Sequence, residues 1–179
     1  MGYEELFSVN KVLNEYDFPQ LELLHFLLIK LKLGQHYKGQ FKITKRGAEL
    51  LANPSQLLNT LVPFYILNID HSIYSRSGEQ PFGKWDVWLN VLNVEVQNAA
   101  PELELYEVFY SPLSDEPMAW RATSAFYSCV LRPQFLVGVL LEHRDQSSKR
   151  SDAVCLKSPS WPAWLQLDTD NTVKPAQLH

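Results

Sequence analysis

Six cations lie in one stretch of the sequence that contains no carboxylate. Between residues 25 and 46 every charged side chain is basic: Lys30, Lys32, Lys38, Lys42, Lys45 and Arg46. Cations grouped in this way attract polyanions and give an affinity that falls as salt is added. The stretch therefore predicts a surface that binds a polyanion. The alternative is a solvated face without a partner, because charge runs on small domains commonly have none.

The second half of the sequence has the opposite charge. The charged residues from 79 to 116 are acidic apart from Lys84: Glu79, Asp86, Glu95, Glu102, Glu104, Glu107, Asp115 and Glu116. The net charge of −4 therefore conceals two halves of different character. We expect the second half to be repelled by a polyanion.

Residues suited to catalysis or metal binding are sparse. His71 follows Asp70, and His143 could approach Cys155 across a hairpin. However, no second Cys or His stands at metal-ligand spacing, and no Gly-rich phosphate loop, GxSxG or HExxH motif occurs. A lone His beside an Asp is usually a surface or capping residue. The sequence therefore predicts no catalysis, no cofactor and no metal site.

The element before most of the basic residues is a predicted helix from Pro19 to Leu33. Leucines recur at helical spacing, at Leu21, Leu24, Leu28 and Leu31, and Gly34 ends the pattern. Nearly all of this helix is apolar, so we expect it to be buried on most of its surface, with Glu22, His25, Ile29 and Lys32 as a solvent stripe.

A β-hairpin is predicted from Tyr37 to Ile43. Gly39 supplies the positive φ of a two-residue turn at Lys38-Gly39. Phe41 and Ile43 then share one face of the strand, and Gln40 and Lys42 share the other. Thr44 stands where an N-cap belongs, before a helix predicted from Lys45 to Ala52. Asn53 is the expected cap of a further helix that has Pro54 in its first turn.

The second half is predicted to be mainly helical with one hairpin. Helices are expected over 84–98, 101–110 and 118–131, the last ending near Arg132-Pro133, and strands over 139–143 and 153–156. A short helix follows Ser158-Pro159. Trp85 and Trp88 lie on one stripe of the first of these helices, which indicates a core position or an anchor for a protein partner or homodimer.

The composition is that of an ordinary globular protein. No apolar run is long enough to cross a bilayer, and no secretory signal precedes the acidic Glu4-Glu5. Cys129 and Cys155 do not form a CxxC motif, which favours two buried thiols in a reducing compartment. We therefore expect a cytoplasmic protein without a membrane partner.

The segment GQHYKGQFKITKRGAELL, residues 34–51, resembles the wing and following helix of bacterial winged helix-turn-helix proteins. The likeness lies in the Leu33-Gly34 stop, the hairpin about Gly39, and the helix start Thr44-Lys45-Arg46-Gly47. The order of elements is also similar to the tandem winged-helix region of uncharacterised proteins carried by plasmids and prophages.

The second half repeats part of this order, with Val154 and Leu156 as expected counterparts of Phe41 and Ile43. The predicted fold class is therefore mainly α with small β-hairpins (α+β), built as two winged-helix-like units packed together. The expected divisions are a unit with a basic wing (1–71), a connector (72–83), a second acidic unit (84–167) and a frayed tail (168–179).

The resemblance implies contacts with double-stranded DNA. In such proteins the helix before the wing lies in the major groove and the wing contacts the backbone or minor groove. By position, base contact would come from His25, Ile29 and Lys32, and phosphate contact from Lys38, Lys42, Lys45 and Arg46. The helix stripe offers few of the side chains that usually recognise bases. The rival hypothesis is a protein-interaction adaptor or inhibitor whose scaffold does not bind nucleic acid.

Overall fold

The computed structural model describes residues 18–75, 78–113, 117–144 and 153–173. The helical spacing of Leu6, Val9, Val12 and Leu13 also predicts a helix over 4–16, and the polar run 145–151 predicts a loop between two strands. Both segments lie outside the described ranges. Two compact units can be distinguished, Met1–Leu61 and Val62–His179. The described part of the predicted connector, 72–83, belongs to the second unit.

The described part of the first unit contains a helix, a hairpin and a second helix, in the order that the sequence predicts. Its elements are α1 (Pro19–Lys30), β1 (Gly34–Tyr37), β2 (Gln40–Ile43), α2 (Lys45–Leu51) and the start of α3 (Pro54–Asn68). Strands β1 and β2 are antiparallel. Asn53 caps α3 as expected, since its side-chain oxygen accepts a hydrogen bond of 3.1 Å from the Gln56 amide.

Helix α1 is less buried than its composition predicts. Leu27 is buried, whereas four large apolar side chains stay 38–50% exposed: Leu21, Leu24, Phe26 and Ile29. The expectation that most of this helix is buried was wrong. Among the described residues of the first unit, one hairpin, α2 and the start of α3 offer too little surface to cover all sides of a helix.

The second unit contains the end of α3 and five further helices among the described residues. They are α4 (Trp85–Glu95), α5 (Glu102–Tyr110), α6 (Trp120–Phe126), α7 (Arg132–Leu136) and α8 (Trp161–Trp164), with 3-10 turns at His71–Tyr74, Val96–Asn98 and Asp168–Asn171. The structure is thus mostly helical with small antiparallel sheets, as predicted. In the described part of the chain, no helix has the length and apolar character needed to cross a membrane.

The helix that is predicted to end near Arg132-Pro133 continues through these two residues. A π-helical turn, Tyr127–Leu131, follows α6 and leads directly into α7, where Pro133 lies near the start. The wider π turn changes the hydrogen-bond pattern at the point where Pro would otherwise interrupt an α-helix. The prediction that Pro133 ends the helix was therefore wrong.

The second unit contains a three-stranded sheet in the order β3-β5-β4. Strands β4 (Leu140–His143) and β5 (Val154–Lys157) pair antiparallel, and the two-residue β3 (Ala100–Pro101) pairs with the other edge of β5. Val139, Leu140 and Cys155 are fully or almost fully buried. The predicted pair of strands is confirmed, and β3 is an addition that the sequence did not indicate.

Both hairpins follow helices that end in the same way. The Leu33 amide donates to the Leu28 carbonyl (2.7 Å), and the Val139 amide donates to the Gln134 carbonyl (2.9 Å). The residue before each donor, Lys32 or Gly138, has positive φ, as in a Schellman helix end. After each hairpin, one amide donates back to the residue before it, from Thr44 to Leu33 and from Ser158 to Val139. Thr44 therefore corresponds to Ser158. Phe41 and Ile43 then correspond to Cys155 and Lys157, one residue beyond the predicted counterparts.

The beginning of the predicted frayed tail is ordered by side-chain hydrogen bonds. The Thr169 amide donates to the Asn90 side chain (3.1 Å), and the Asn93 side chain donates to Asp170 (2.9 Å). These bonds join the turn Asp168–Asn171 to α4. Apolar periodicity in the sequence could not indicate these hydrogen bonds, because polar side chains make them.

Candidate nucleic-acid interface

A tight turn at Lys38-Gly39 joins the two strands of the first hairpin. Both residues have positive φ, 50° for Lys38 and 75° for Gly39, which is the pattern of a type I′ turn. This turn fixes the register so that Tyr37 pairs with Gln40 and Gln35 pairs with Lys42. The hairpin predicted from the sequence is confirmed, including the residues at its tip.

The register gives the hairpin two chemically different faces. Directly paired residues of antiparallel strands point to the same side. One face therefore presents Gln35, Tyr37, Gln40 and Lys42, and the opposite face presents His36, Phe41 and Ile43. The predicted separation of Phe41 and Ile43 from Gln40 and Lys42 follows directly from this pairing.

Two ammonium groups flank one exposed tyrosine. The Nζ atom of Lys42 lies 4.9 Å from the centre of the Tyr37 ring, and that of Lys38 lies 5.3 Å from it. The Tyr37 side chain is 49% exposed. An aromatic ring beside two cations can contact a sugar or base while the cations contact phosphates.

The base of the hairpin is fixed to the end of α1. The Thr44 amide donates to the Leu33 carbonyl (2.9 Å), and the Thr44 hydroxyl lies within hydrogen-bond distance of the Lys32 carbonyl (2.9 Å). The same hydroxyl accepts from the Gly47 amide (3.1 Å), as an N-cap does. A Cβ atom at Gly47 would overlap the Leu33 carbonyl oxygen. Thr44 therefore places the start of α2 against the strand base.

Three further predicted cations lie near this base. Lys32 is exposed and follows the end of α1, where its φ is 57°. Lys45 and Arg46 are exposed in the first turn of α2, directly after Thr44. The contact between Thr44 and Lys32 brings the backbones on either side of the hairpin together. We call Tyr37, Lys38, Lys42, Lys45 and Arg46 the wing surface.

His25 lies on the other side of the hairpin. Its ring contacts the Phe41 ring at a centroid distance of 4.6 Å, and its Nε2 atom lies 3.1 Å from Nε2 of His36. His36 and Phe41 belong to the face opposite Tyr37 and Lys42. The structure therefore brings Lys38 and Lys42 together on one face and places His25 against the other.

The two tryptophans of α4 differ in their surroundings. Trp88 is buried, and its indole nitrogen donates to the Tyr110 hydroxyl (3.0 Å). Trp85 is half-buried and contacts Trp88 and His71 edge to face, at centroid distances of 5.4 and 5.7 Å. Trp88 thus has the core position that the sequence allowed, and Trp85 remains accessible in part.

The residues considered for catalysis have different surroundings. Asp70 caps the 3-10 turn by accepting from the Ser72 amide (3.0 Å), as expected for a capping residue. His71 is buried rather than on the surface, and its Nε2 atom donates to the Tyr65 carbonyl (2.9 Å). His143 pairs with Val154, while Cys155 pairs with Glu142. The imidazole and the thiol therefore lie on opposite faces of the sheet.

The sequence reasoning missed the role of Tyr37 in the wing surface. Its place was predictable, because a two-residue turn at Lys38-Gly39 sets Tyr37 opposite Gln40, and strand alternation then puts Lys42 on the same face. Strand alternation also gives the face on which His36 lies. Its position beside His25 could be predicted only with the knowledge that this face packs on α1.

Comparisons with known proteins identify two domain families in the same order as the two units. Residues 1–56 match the model of the Y4jL N-terminal domain, and residues 75–159 match that of the y4jL C-terminal domain. The chain is 28% identical over 131 residues to the uncharacterized protein y4jL of Sinorhizobium fredii (strain NBRC 101917 / NGR234). That match covers 68% of this chain and 59% of the relative, which is less than two thirds of the relative's length. No solved structure matches the chain. The chain is therefore similar, over most of its length, to the N- and C-terminal domains of y4jL.

Proposed function

We propose that this protein binds double-stranded DNA through the wing surface. The observation that supports this most directly is the pair of ammonium groups, on Lys38 and Lys42, that flank the exposed Tyr37 ring. They lie in a stretch, 25–46, without a carboxylate, so no anion of that stretch competes with a phosphate. Lys45 and Arg46 extend the basic character to the start of α2.

The proposed contact is mainly with the DNA backbone. Lysine and arginine contacts to phosphates position a protein on a duplex without selecting a sequence. Base contact by His25 and Lys32 would need α1 to enter a groove, and His25 packs against the hairpin while Lys32 lies beyond the helix end. We therefore propose salt-sensitive binding with weak sequence preference.

A charge-reversal experiment tests this proposal. We expect Lys38→Glu/Lys42→Glu to weaken binding of a short fluorescent duplex by at least roughly ten-fold, since two phosphate contacts become repulsive. The measurement is fluorescence anisotropy with the full chain. The matched control is Lys84→Glu/Arg144→Glu, which changes the net charge equally at two exposed positions of the second unit. Equal weakening by both variants, or no binding by the wild type, would contradict the proposal.

A second candidate function is protein interaction, and the exposed apolar surface of α1 favours it. Exposing large apolar side chains to water costs free energy. Helix α1 exposes four of them: Leu21, Leu24, Phe26 and Ile29. The sequence placed a partner or homodimer contact at Trp85 and Trp88 of the second half, but Trp88 is buried. The proposed contact between two copies of this chain therefore uses α1. Leu24→Glu is expected to reduce the solution mass to that of a monomer. A monomeric wild type at high concentration would remove this candidate.

A further inference from the structure

Two histidines from different elements meet on the face of the hairpin opposite the wing surface. His25 belongs to α1 and His36 to β1, and their Nε2 atoms lie 3.1 Å apart. The ring centroids are 5.0 Å apart, with the ring planes tilted by 56°. The two nitrogens therefore converge on one point while the rings stay unstacked.

This separation suits two ligands of one metal ion. Imidazole nitrogens bind Zn²⁺, Ni²⁺ or Cu²⁺ at about 2.0–2.1 Å. At that bond length, nitrogens as far apart as these subtend an angle of about 95–102° at the ion. That angle lies close to the right angle between neighbouring ligands in octahedral and square-planar sites. The two rings thus fit such a site with little movement.

The surrounding residues hold both rings in place. The Phe41 ring contacts His25 at a centroid distance of 4.6 Å and His36 at 5.6 Å, both edge to face. A Cβ atom at Gly34 would overlap the tip of the Phe41 ring, so the absence of a side chain at Gly34 leaves room for that ring. Ligands that are fixed before the ion arrives lose less conformational entropy on binding.

We propose that His25 and His36 form a binding site for a divalent transition-metal ion of the nickel and copper class. Imidazole ligands favour Ni²⁺ and Cu²⁺ over Mg²⁺, which prefers oxygen ligands. Each Nε2 binds the ion through its lone pair, and the ring whose Nε2 carries the shared proton takes the tautomer protonated at Nδ1, so that both imidazoles stay neutral. Within the described ranges no group of three or more His, Cys, Asp or Glu side chains could hold a metal ion, so the proposed site rests on the two imidazoles.

The bound ion would connect α1 directly to the hairpin. The sequence gives little sign of this site, since the two residues are eleven positions apart and share no motif. The inference does not rest on DNA binding, because the histidines and the wing surface lie on opposite faces of the hairpin. Its failure would leave the proposed function unchanged.

Calorimetric titration of the untagged full chain with Ni²⁺ tests the site. We expect one ion per chain, and no comparable binding of Mg²⁺. His25→Gln and His36→Gln should each weaken Ni²⁺ binding by at least roughly ten-fold, since each removes half of the protein ligands. The control is His143→Gln, which removes another exposed imidazole and should leave the affinity unchanged. Unchanged affinity in His36→Gln would overturn the proposal.

A second measurement on the wild type avoids any dependence on the variants. In an NMR experiment that detects imidazole nitrogens, Zn²⁺ should shift the Nε2 signals of His25 and His36 together. The signals of His71 and His143 should stay in place. Shifts confined to histidines other than His25 and His36 would show that this site is not formed.

Discussion

The backbone amide of Thr44 donates a hydrogen bond of 2.9 Å to the carbonyl oxygen of Leu33. In the second unit the Ser158 amide donates in the same way to Val139, at 3.1 Å. Each bond joins the residue before a hairpin to the residue after it. The hairpin therefore leaves the preceding helix in a fixed direction, which in the first unit sets where Lys38 and Lys42 are presented.

Replacing Gly47 by Ala should destabilise the protein. Ala normally stabilises a helix by about 0.8–1.0 kcal/mol relative to Gly, but a Cβ at this position would overlap the Leu33 carbonyl. Backbone atoms cannot move aside cheaply, so we expect the overlap to reverse the sign. Urea denaturation measures the effect. The control Ala48→Gly, at an exposed site of the same helix, measures the difference in helix propensity between Ala and Gly. A Gly47→Ala variant that is more stable than the wild type would contradict the close packing.

Replacing Lys38 by Gly should raise stability while it weakens DNA binding. Lys38 has a φ of 50°, a conformation that costs a non-glycine residue roughly 1 kcal/mol. Glycine removes that strain and also removes one cation. A higher melting temperature together with weaker duplex binding would separate the two effects. Lys42→Gln is the control, since it should weaken binding without stabilising the turn. A Lys38→Gly variant that is less stable than the wild type would contradict the type I′ turn.

The sequence predicted the elements of the first unit well because local signals determine them. Gly39 determines the turn, Thr44 caps α2 and the leucine spacing defines α1. It failed where tertiary contacts decide the outcome. The exposure of Leu21 and Leu24 depends on how much surface the small unit can offer. The helix continues past Pro133 because of a π turn, which no local sequence pattern indicates.

The candidate site could be predicted in composition and only partly in arrangement. The cations were evident, and alternation along β2 placed Lys42 correctly. The position of Tyr37 follows only from the strand register that the two-residue turn imposes. The assignment of His25 to base contact came from a family resemblance, whereas the structure packs this residue against Phe41. Charge can be found from sequence alone, but the side of a hairpin that packs on a helix cannot.

Stability should decrease below about pH 6.5 because of His71. Burial lowers the pKa of this imidazole below its usual value of 6.5. The unfolded chain therefore binds a proton that the folded chain does not, and the free energy of unfolding falls as pH decreases from 6.5 towards the folded pKa. One group contributes at most about 1.4 kcal/mol per pH unit. Denaturation across this range should show a weaker pH dependence in His71→Gln than in His143→Gln. Equal dependence in both would contradict the assignment.

Both thiols should react slowly in the folded protein. Burial raises the pKa of Cys129 to about 11 and that of Cys155 to about 12. At pH 8 the thiolate fraction of such a cysteine is about one in a thousand or less, and the thiolate is the reactive form. A disulfide reagent should therefore label both cysteines only after urea unfolds the chain. Rapid labelling under native conditions would show that the thiols are accessible.

The salt dependence of duplex binding tests the central proposal most directly. Contact of four phosphates with Lys38, Lys42, Lys45 and Arg46 predicts that log K falls with log salt at a slope of about −3.6. Lys38→Met/Lys42→Met should reduce the magnitude of that slope by about 1.8. A wild-type affinity that does not change with salt, or an identical slope in the variant, would contradict DNA binding by the wing surface.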